Sequence, residues 1–253
     1  MNRAVAVIGL SLLALIHMTP VGAQALPGDF VYLREIDPSI RQDMRYAGVH
    51  NFMGRPLAGY DAAECVVKRK VGLALRAVQQ ELAAQNLSLM MLDCYRPVRA
   101  VRDTVIWAQN GRETAAERRY NPAFSKAELF RRGYVAENSG HSTGAALDLT
   151  LVDVGAPPSA RFDPARAYAD CTAPAAKRAP EDSVDMGTGY DCSDAKAHTA
   201  SPAITPAQRR MRGILLQAMA RQGFVNYARE WWHFSLPSAG REPYDFPIIA
   251  RRR

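Results

Sequence analysis

Beyond residue 25 the chain carries four histidines, His50, His141, His198 and His233, and two of them keep unusual company. His141 stands in "SGHSTGAALD", residues 139–148, a stretch of small residues that ends on Asp148. His233 closes "EWWH", which begins at Glu230. Imidazole and carboxylate together suit zinc, and His141, Asp148 and His233 would give three protein ligands with a fourth position open, the pattern of a catalytic rather than a structural site. Glu230, three residues before His233, then has a use. A carboxylate beside such a metal takes the proton of an attacking water and hands it to a leaving amine, and zinc brings the pKa of its water to about 7. Arg96, in "DCYRP", is the fixed cation that an oxyanion would need. Each residue also has a plainer reading. His50 and His198 are read as structural, Trp231 and Trp232 as core or pocket wall, and Arg96 as an ion-pair partner of Asp93.

These side chains must be brought together by the elements that carry them. His141 and Asp148 are seven apart, so an uninterrupted strand would put them on opposite faces. A turn between them is required, and Gly144 among small residues permits it. "LTLVDV" then reads as a buried strand. Upstream, Val67, Val71, Leu75, Val78 and Leu82 recur at helical steps, with Asn86 where the helix should stop. "LSLMML" reads as a central strand leading into "DCYRP", and Pro97 opens a helix carrying Val101, Val105 and Ala108, closed by Gly111. Residues 30–64 look irregular, and 112–133 form a polar, helix-bearing excursion. Residues 155–181, rich in Ala, Pro, Arg and Asp, read as a surface insertion. Thr205-Pro206-Ala207-Gln208 spells a capping box with proline at the first helical position, and that helix ends at Gly223. "FVNYAREWWHFSL" supplies one or two strands around a turn. The sum is an α+β fold: one domain over 26–253, with a small antiparallel sheet packed by helices and the zinc site at the sheet.

Residues 1–25 are read as an export signal. Arg3 precedes the apolar run "VAVIGLSLLALI", and Ala23-Gln24-Ala25 fits a cleavage site, so cleavage is expected after Ala25 and the mature protein in the periplasm. No later segment is apolar enough to span a bilayer. The net charge of +7 falls by one with Arg3 and is partly a C-terminal "RRR". No basic stripe interleaved with aromatics suggests nucleic acid as a partner. The 4 cysteines of an exported chain suggest two disulfides, with three connectivities open. Cys171–Cys192 is favoured because it would clamp the insertion, which leaves Cys65–Cys94. Nothing in the sequence reports the oligomeric state.

Ser139 through Asp148 matches the S-x-H-x-x-G-x-A-x-D motif of the zinc D,D-peptidases, and Glu230-Trp231-Trp232-His233 matches their E-x-W-H motif. More narrowly, the chain resembles the VanX-type D-alanyl-D-alanine dipeptidases. "MRYAGVHNFMGRPLAGY", "DCYRPVRAV", "GYVAENSGHSTGAALDLTL", "DMGTGYD" and "YAREWWHF" occur in the order that family shows. The resemblance implies one Zn2+ held by His141, Asp148 and His233, Glu230 as catalytic base and Arg96 as transition-state stabiliser. It also implies Asp191 as the partner of the substrate's free amino group, with Tyr46 and Ser139 lining a small dipeptide pocket. The implied reaction is hydrolysis of D-Ala-D-Ala to two D-alanines, in wall turnover or nutrient recovery. The alternatives are a D,D-carboxypeptidase or endopeptidase on peptidoglycan peptides, or a non-catalytic zinc module that binds the wall. The family often has serine before the metal-binding histidine, where this chain has Gly140, a lost hydroxyl that would bear on selectivity.

Overall fold

The computed structural model describes residues 26–251; the export signal read at 1–25 lies outside the described residues. In chain order the elements are β1 (Phe30–Tyr32), α1 (Leu33–Ile36), β2 (Arg41–Gln42), β3 (Val66–Lys68), α2 (Arg69–Ala83), β4 (Leu87–Asp93), α3 (Val98–Gln109), α4 (Ala115–Tyr120), α5 (Lys126–Arg132), β5 (Ala146–Asp153), α6 (Pro206–Arg221), β6 (Val225–Asn226) and β7 (His233–Ser235). The main sheet has the order β2-β4-β5-β7-β6, and β1 pairs with β3 in a separate two-stranded ribbon. Pairing is antiparallel throughout the main sheet except at one edge, where β2 runs parallel to β4. The fold is mixed, as expected for an α+β domain.

Helix α2 forms because Val71, Leu75, Val78 and Leu82 fall on one stripe, and all four are fully buried. Burying each contributes about 1.5–3 kcal/mol. Val67, which the helical spacing had included, belongs instead to β3. The Val66–Val67 pair aligns with Tyr32 and Val31, and Lys68 donates its backbone N–H to Gly144 O at 3.1 Å. β-branched residues favour that extended pairing. Asn86 takes φ +59°, which turns the chain from α2 into β4. At α6 the capping box is complete: Thr205 accepts from Gln208 N while the Gln208 side chain accepts from Thr205 N. The region 30–64, read as irregular, holds β1, α1 and β2; elements of two to four residues leave no periodicity to detect.

α2 and α6 pack together and cover the sheet at β4 and β5. The core beneath them joins Leu75, Leu82, Leu89, Leu149, Leu215 and Phe234. A second, aromatic cluster of Phe30, Tyr46, Tyr60, Tyr95, Trp107 and Phe246 lies against the other end of the strands. Cys65–Cys94 and Cys171–Cys192 are the two disulfides, the favoured pairing. Residues 155–181 contain one short 3-10 turn, Ala175–Lys177, and Phe162 stacks on His50 with ring centroids 3.9 Å apart. No described helix is long and apolar enough to cross a membrane.

Candidate metal centre and substrate cavity

Three adjacent strands line up the first part of the site. Asp148 of β5 is directly opposite His233 of β7 and opposite Asp93 at the end of β4. Opposed residues bring their Cβ atoms to about 4.5–5.5 Å, so two imidazole or carboxylate tips meet without any loop having to aim them. His141 arrives from outside the sheet, on the 3-10 turn Gly140–Thr143. Ser139 caps that turn, its Oγ accepting from His141 N at 3.2 Å. Gly144 then reverses the chain at φ +70°, and a Cβ there would stand 2.3 Å from Phe30 Cε1. Both facts exclude any side chain. The turn demanded by the seven-residue spacing is therefore real, and a glycine makes it.

The donor atoms of the three candidate ligands converge. His141 Nε2 lies 3.1 Å from His233 Nδ1 and 3.3 Å from Asp148 Oδ1, and His233 Nδ1 lies 3.0 Å from Asp148 Oδ1. Their outer atoms are held from behind. His141 Nδ1 lies 2.8 Å from Cys94 O and 3.1 Å from Asp93 Oδ2, and Tyr190 donates to Asp148 Oδ2 at 2.8 Å. A His141 that donates from Nδ1 turns its Nε2 lone pair toward the other two donors, the tautomer a metal needs. Two imidazole lone pairs and a carboxylate oxygen facing one another repel unless a cation or proton lies between them. Without a metal, burial lowers the affinity of His141 for a proton, but Asp148 and Asp93 outweigh it and raise its pKa to about 10. The donor set fits a divalent metal ion.

Glu230 stands beside this triangle, Oε2 at 3.8 Å from His233 Nδ1. A tight turn puts it there: Glu230 N donates to Tyr227 O, and Asn226 Nδ2 donates to the carbonyls of both Glu230 and His233. Burial first, then the charges of Asp148 and Asp191, push Glu230 up to about 8. Arg96 makes a two-pronged bond to Asp93 Oδ2, at 3.0 and 2.8 Å, and its Nη2 lies 3.7 Å from Asp148 Oδ2. The plain ion-pair reading of Arg96 and its placement in the site thus both hold. Tyr60 donates to the other Asp93 oxygen at 2.6 Å.

Arg96 also lies over the Tyr46 ring, 4.7 Å from its centroid, and Tyr46 donates to Asp191 Oδ2 at 2.8 Å. Asp191 has φ +57°, and burial followed by the charge of Asp148 raises its pKa to about 7. Among the described residues it has no ion-pair partner. All eight residues singled out in the sequence, Tyr46, Arg96, Ser139, His141, Asp148, Asp191, Glu230 and His233, line one cavity of about 240 Å³. That is below the roughly 300–1,000 Å³ of pockets that take drug-sized ligands. A Cβ at Gly140 would meet Ala146 Cβ at 3.2 Å and Ser235 Oγ at 3.9 Å, so a side chain there would begin against β5 and β7.

The sequence reading missed Tyr60 and Tyr190 and gave Asp93 only an ion-pair role. All three sit in stretches quoted above, Asp93 in "DCYRP", Tyr60 in "MRYAGVHNFMGRPLAGY" and Tyr190 in "DMGTGYD", but the tyrosines reach partners 33 and 42 residues away, and spacing does not reveal that role. His50 and His198 stay outside the donor set. His50 is packed between Phe162 and Arg45, and burial with the charges of Arg45 and Arg119 lowers its pKa to about 2.

The D-ala-D-ala dipeptidase family matches residues 27–160 and 161–251. A D-alanyl-D-alanine dipeptidase of Streptomyces coelicolor is 34% identical over 225 residues, covering 88% of this chain and 100% of that protein. One from Enterococcus faecalis is 33% identical over 217 residues, 85% of this chain and 93% of its own. One from Escherichia coli is 27% identical over 222 residues, 88% and 90%. Similarity that spans nearly the whole of each chain, with a His-Asp-His donor set at the sheet, makes this chain a member of the D-ala-D-ala dipeptidase family of metallopeptidases.

Proposed function

We propose that the chain is a zinc dipeptidase that splits D-alanyl-D-alanine into two D-alanines. The observation that carries this is one small cavity lined by a metal-binding triangle, a base beside it, and a carboxylate, Asp191, that has no ion-pair partner among the described residues. Donor separations of 3.0–3.3 Å approximate the edges of a tetrahedron; bonds of about 2.0–2.1 Å to zinc give edges of roughly 3.3 Å. His141, Asp148 and His233 would hold the ion, which when bound supplies Lewis acidity toward water and the scissile carbonyl. Glu230 takes the proton of the attacking water and passes it to the leaving amine, a task suited to a carboxyl raised toward neutrality. Arg96, fixed by Asp93, neutralises charge that develops on the carbonyl oxygen. Asp191, oriented by Tyr46, pairs with the substrate ammonium, and an acylated amine would leave that carboxylate unpaired.

Release of free D-alanine from D-Ala-D-Ala by the zinc-loaded chain is the direct test. Turnover that Glu230→Ala lowers by about 10²–10⁴ supports the assignment; an unchanged rate in that variant removes Glu230 from the chemistry. Read as an export signal, the Arg3, apolar-run and Ala23-Gln24-Ala25 pattern of residues 1–25 supports a reaction in the periplasm, in wall turnover or nutrient recovery. Recovery of the mature chain from the cytosolic fraction would contradict that location.

A further inference from the structure

The loop that carries Asp191 is built differently from the rest of the cavity wall. It has no regular secondary structure, yet it presents two site residues in succession: Tyr190 donates to the candidate ligand Asp148, and Asp191 accepts from Tyr46. Asp191 adopts the left-handed backbone conformation, which aspartate tolerates better than most residues but which sets the direction its side chain takes from the loop. The loop's anchors are few. Gly189 N donates to Cys171 O at 2.9 Å, Ser193 N donates to Tyr120 O at 2.8 Å, and Cys192 is bonded to Cys171. Cys171 N in turn donates to Arg119 O at 2.7 Å. Both ends of the 189–193 strap are therefore fixed to the last turn of α4, one directly and the other through Cys171. Cys192 is fully buried and lines the cavity beside Asp191.

We infer that the Cys171–Cys192 disulfide is a positioning element for substrate recognition, holding Asp191 in the conformation that receives the dipeptide's ammonium group. Without the bond, Cys171 belongs to a segment with almost no regular structure, and the strap keeps only hydrogen bonds: those of Gly189 and Ser193 through the backbone, Tyr190 to Asp148, and Tyr46 to the Asp191 side chain itself. The carboxylate then leaves its place and the preference for a free amine falls, while the metal triangle, carried on β5, β7 and the 140–143 turn, keeps its geometry. The inference rests on the dipeptidase reading of Asp191.

The test compares wild-type, C171S/C192S, D191N and the triple combination, each zinc-loaded and oxidised, with D-Ala-D-Ala and its N-acetyl derivative. The double cysteine variant is expected to raise KM for D-Ala-D-Ala about tenfold, to lower the preference over the acetylated peptide by a similar factor, and to leave kcat within about threefold and metal content unchanged. In the D191N background the cysteine changes are expected to add nothing to KM, because both act at one carboxylate. A lower melting temperature with KM and selectivity unchanged would overturn the inference, and so would full additivity with D191N. C171V/C192A, which buries no hydroxyl, serves if the serine pair does not fold. Calorimetric binding of D-Ala-D-Ala to E230Q, with and without the disulfide, separates the two ideas. Binding that weakens about tenfold supports the positioning role even if the wild type turns nothing over, an outcome that sinks only the dipeptidase reading. Equal binding sinks the positioning role alone.

Discussion

At the scale of single residues the site divides its acids by environment. Asp93 is shared among Tyr60, Arg96 and His141, Asp148 is spent on the two imidazoles and Tyr190, Glu230 has only a long contact to His233, and Asp191 has no ion-pair partner among the described residues. The last two have their pKa values pushed up, to about 8 and about 7. That split fits the roles proposed above: the well-paired acids hold their neighbours, and the other two work on the substrate. Asp191→Asn keeps the shape and removes the charge. It should raise KM for D-Ala-D-Ala by about 10–100-fold, the value of a charge-assisted hydrogen bond, in steady-state assays. Asp148→Asn removes a ligand charge and also weakens what Tyr190 and the imidazoles hold. Metal analysis after dialysis should show the variant depleted of zinc while the wild type keeps one ion per chain. Retention of stoichiometric zinc would exclude Asp148 as a ligand.

At the scale of elements, the sheet does the positioning and one turn completes it. Asp93, Asp148 and His233 are partners on neighbouring strands, with a bulge at Leu92 that brings Asp93 opposite Asp148, so their meeting follows from β4–β5–β7 pairing. His141 depends on the 3-10 turn and on Gly144, whose φ of +70° and approach to Phe30 leave no room for a Cβ. Gly144→Ala should cost about 2 kcal/mol or more, measured by denaturant unfolding, with loss of zinc affinity because His141 is displaced. Much of this was legible in the sequence. The small residues between His141 and Asp148 demanded a turn, "LSLMML" gave the central strand, and Thr205 through Gln208 gave the start of α6. Other parts were not. The edge strand β2 is two residues long, and its parallel pairing to β4 is set by tertiary contact rather than by any pattern in "RQ". Val67 fitted a helical step and was claimed by the ribbon with β1. Tyr60 and Tyr190, which brace Asp93 and Asp148 from behind, come from distant loops, and spacing does not record their partners.

At the scale of the whole molecule, each of the two disulfides has one cysteine next to a site residue. Cys94 offers its carbonyl to His141, and Cys192 adjoins Asp191. The Cys65–Cys94 bond closes a loop of sequence separation 29; loss of such a bond costs about 3–4 kcal/mol on chain-entropy grounds. C65S/C94S should therefore melt roughly 10 °C lower in calorimetry. Beyond the covalent frame, the proposed function makes one claim, that a single small cavity reads a free dipeptide from both ends, with metal at the carbonyl and carboxylate at the amine. The ratio of kcat/KM for D-Ala-D-Ala to that for N-acetyl-D-Ala-D-Ala, measured on the zinc-loaded chain, tests it most directly. A ratio of at least about 10³ is expected, because acylation strands Asp191 as an unpaired carboxylate in the cavity wall. Equal cleavage of the two peptides would contradict the claim and move the chain to carboxypeptidase chemistry.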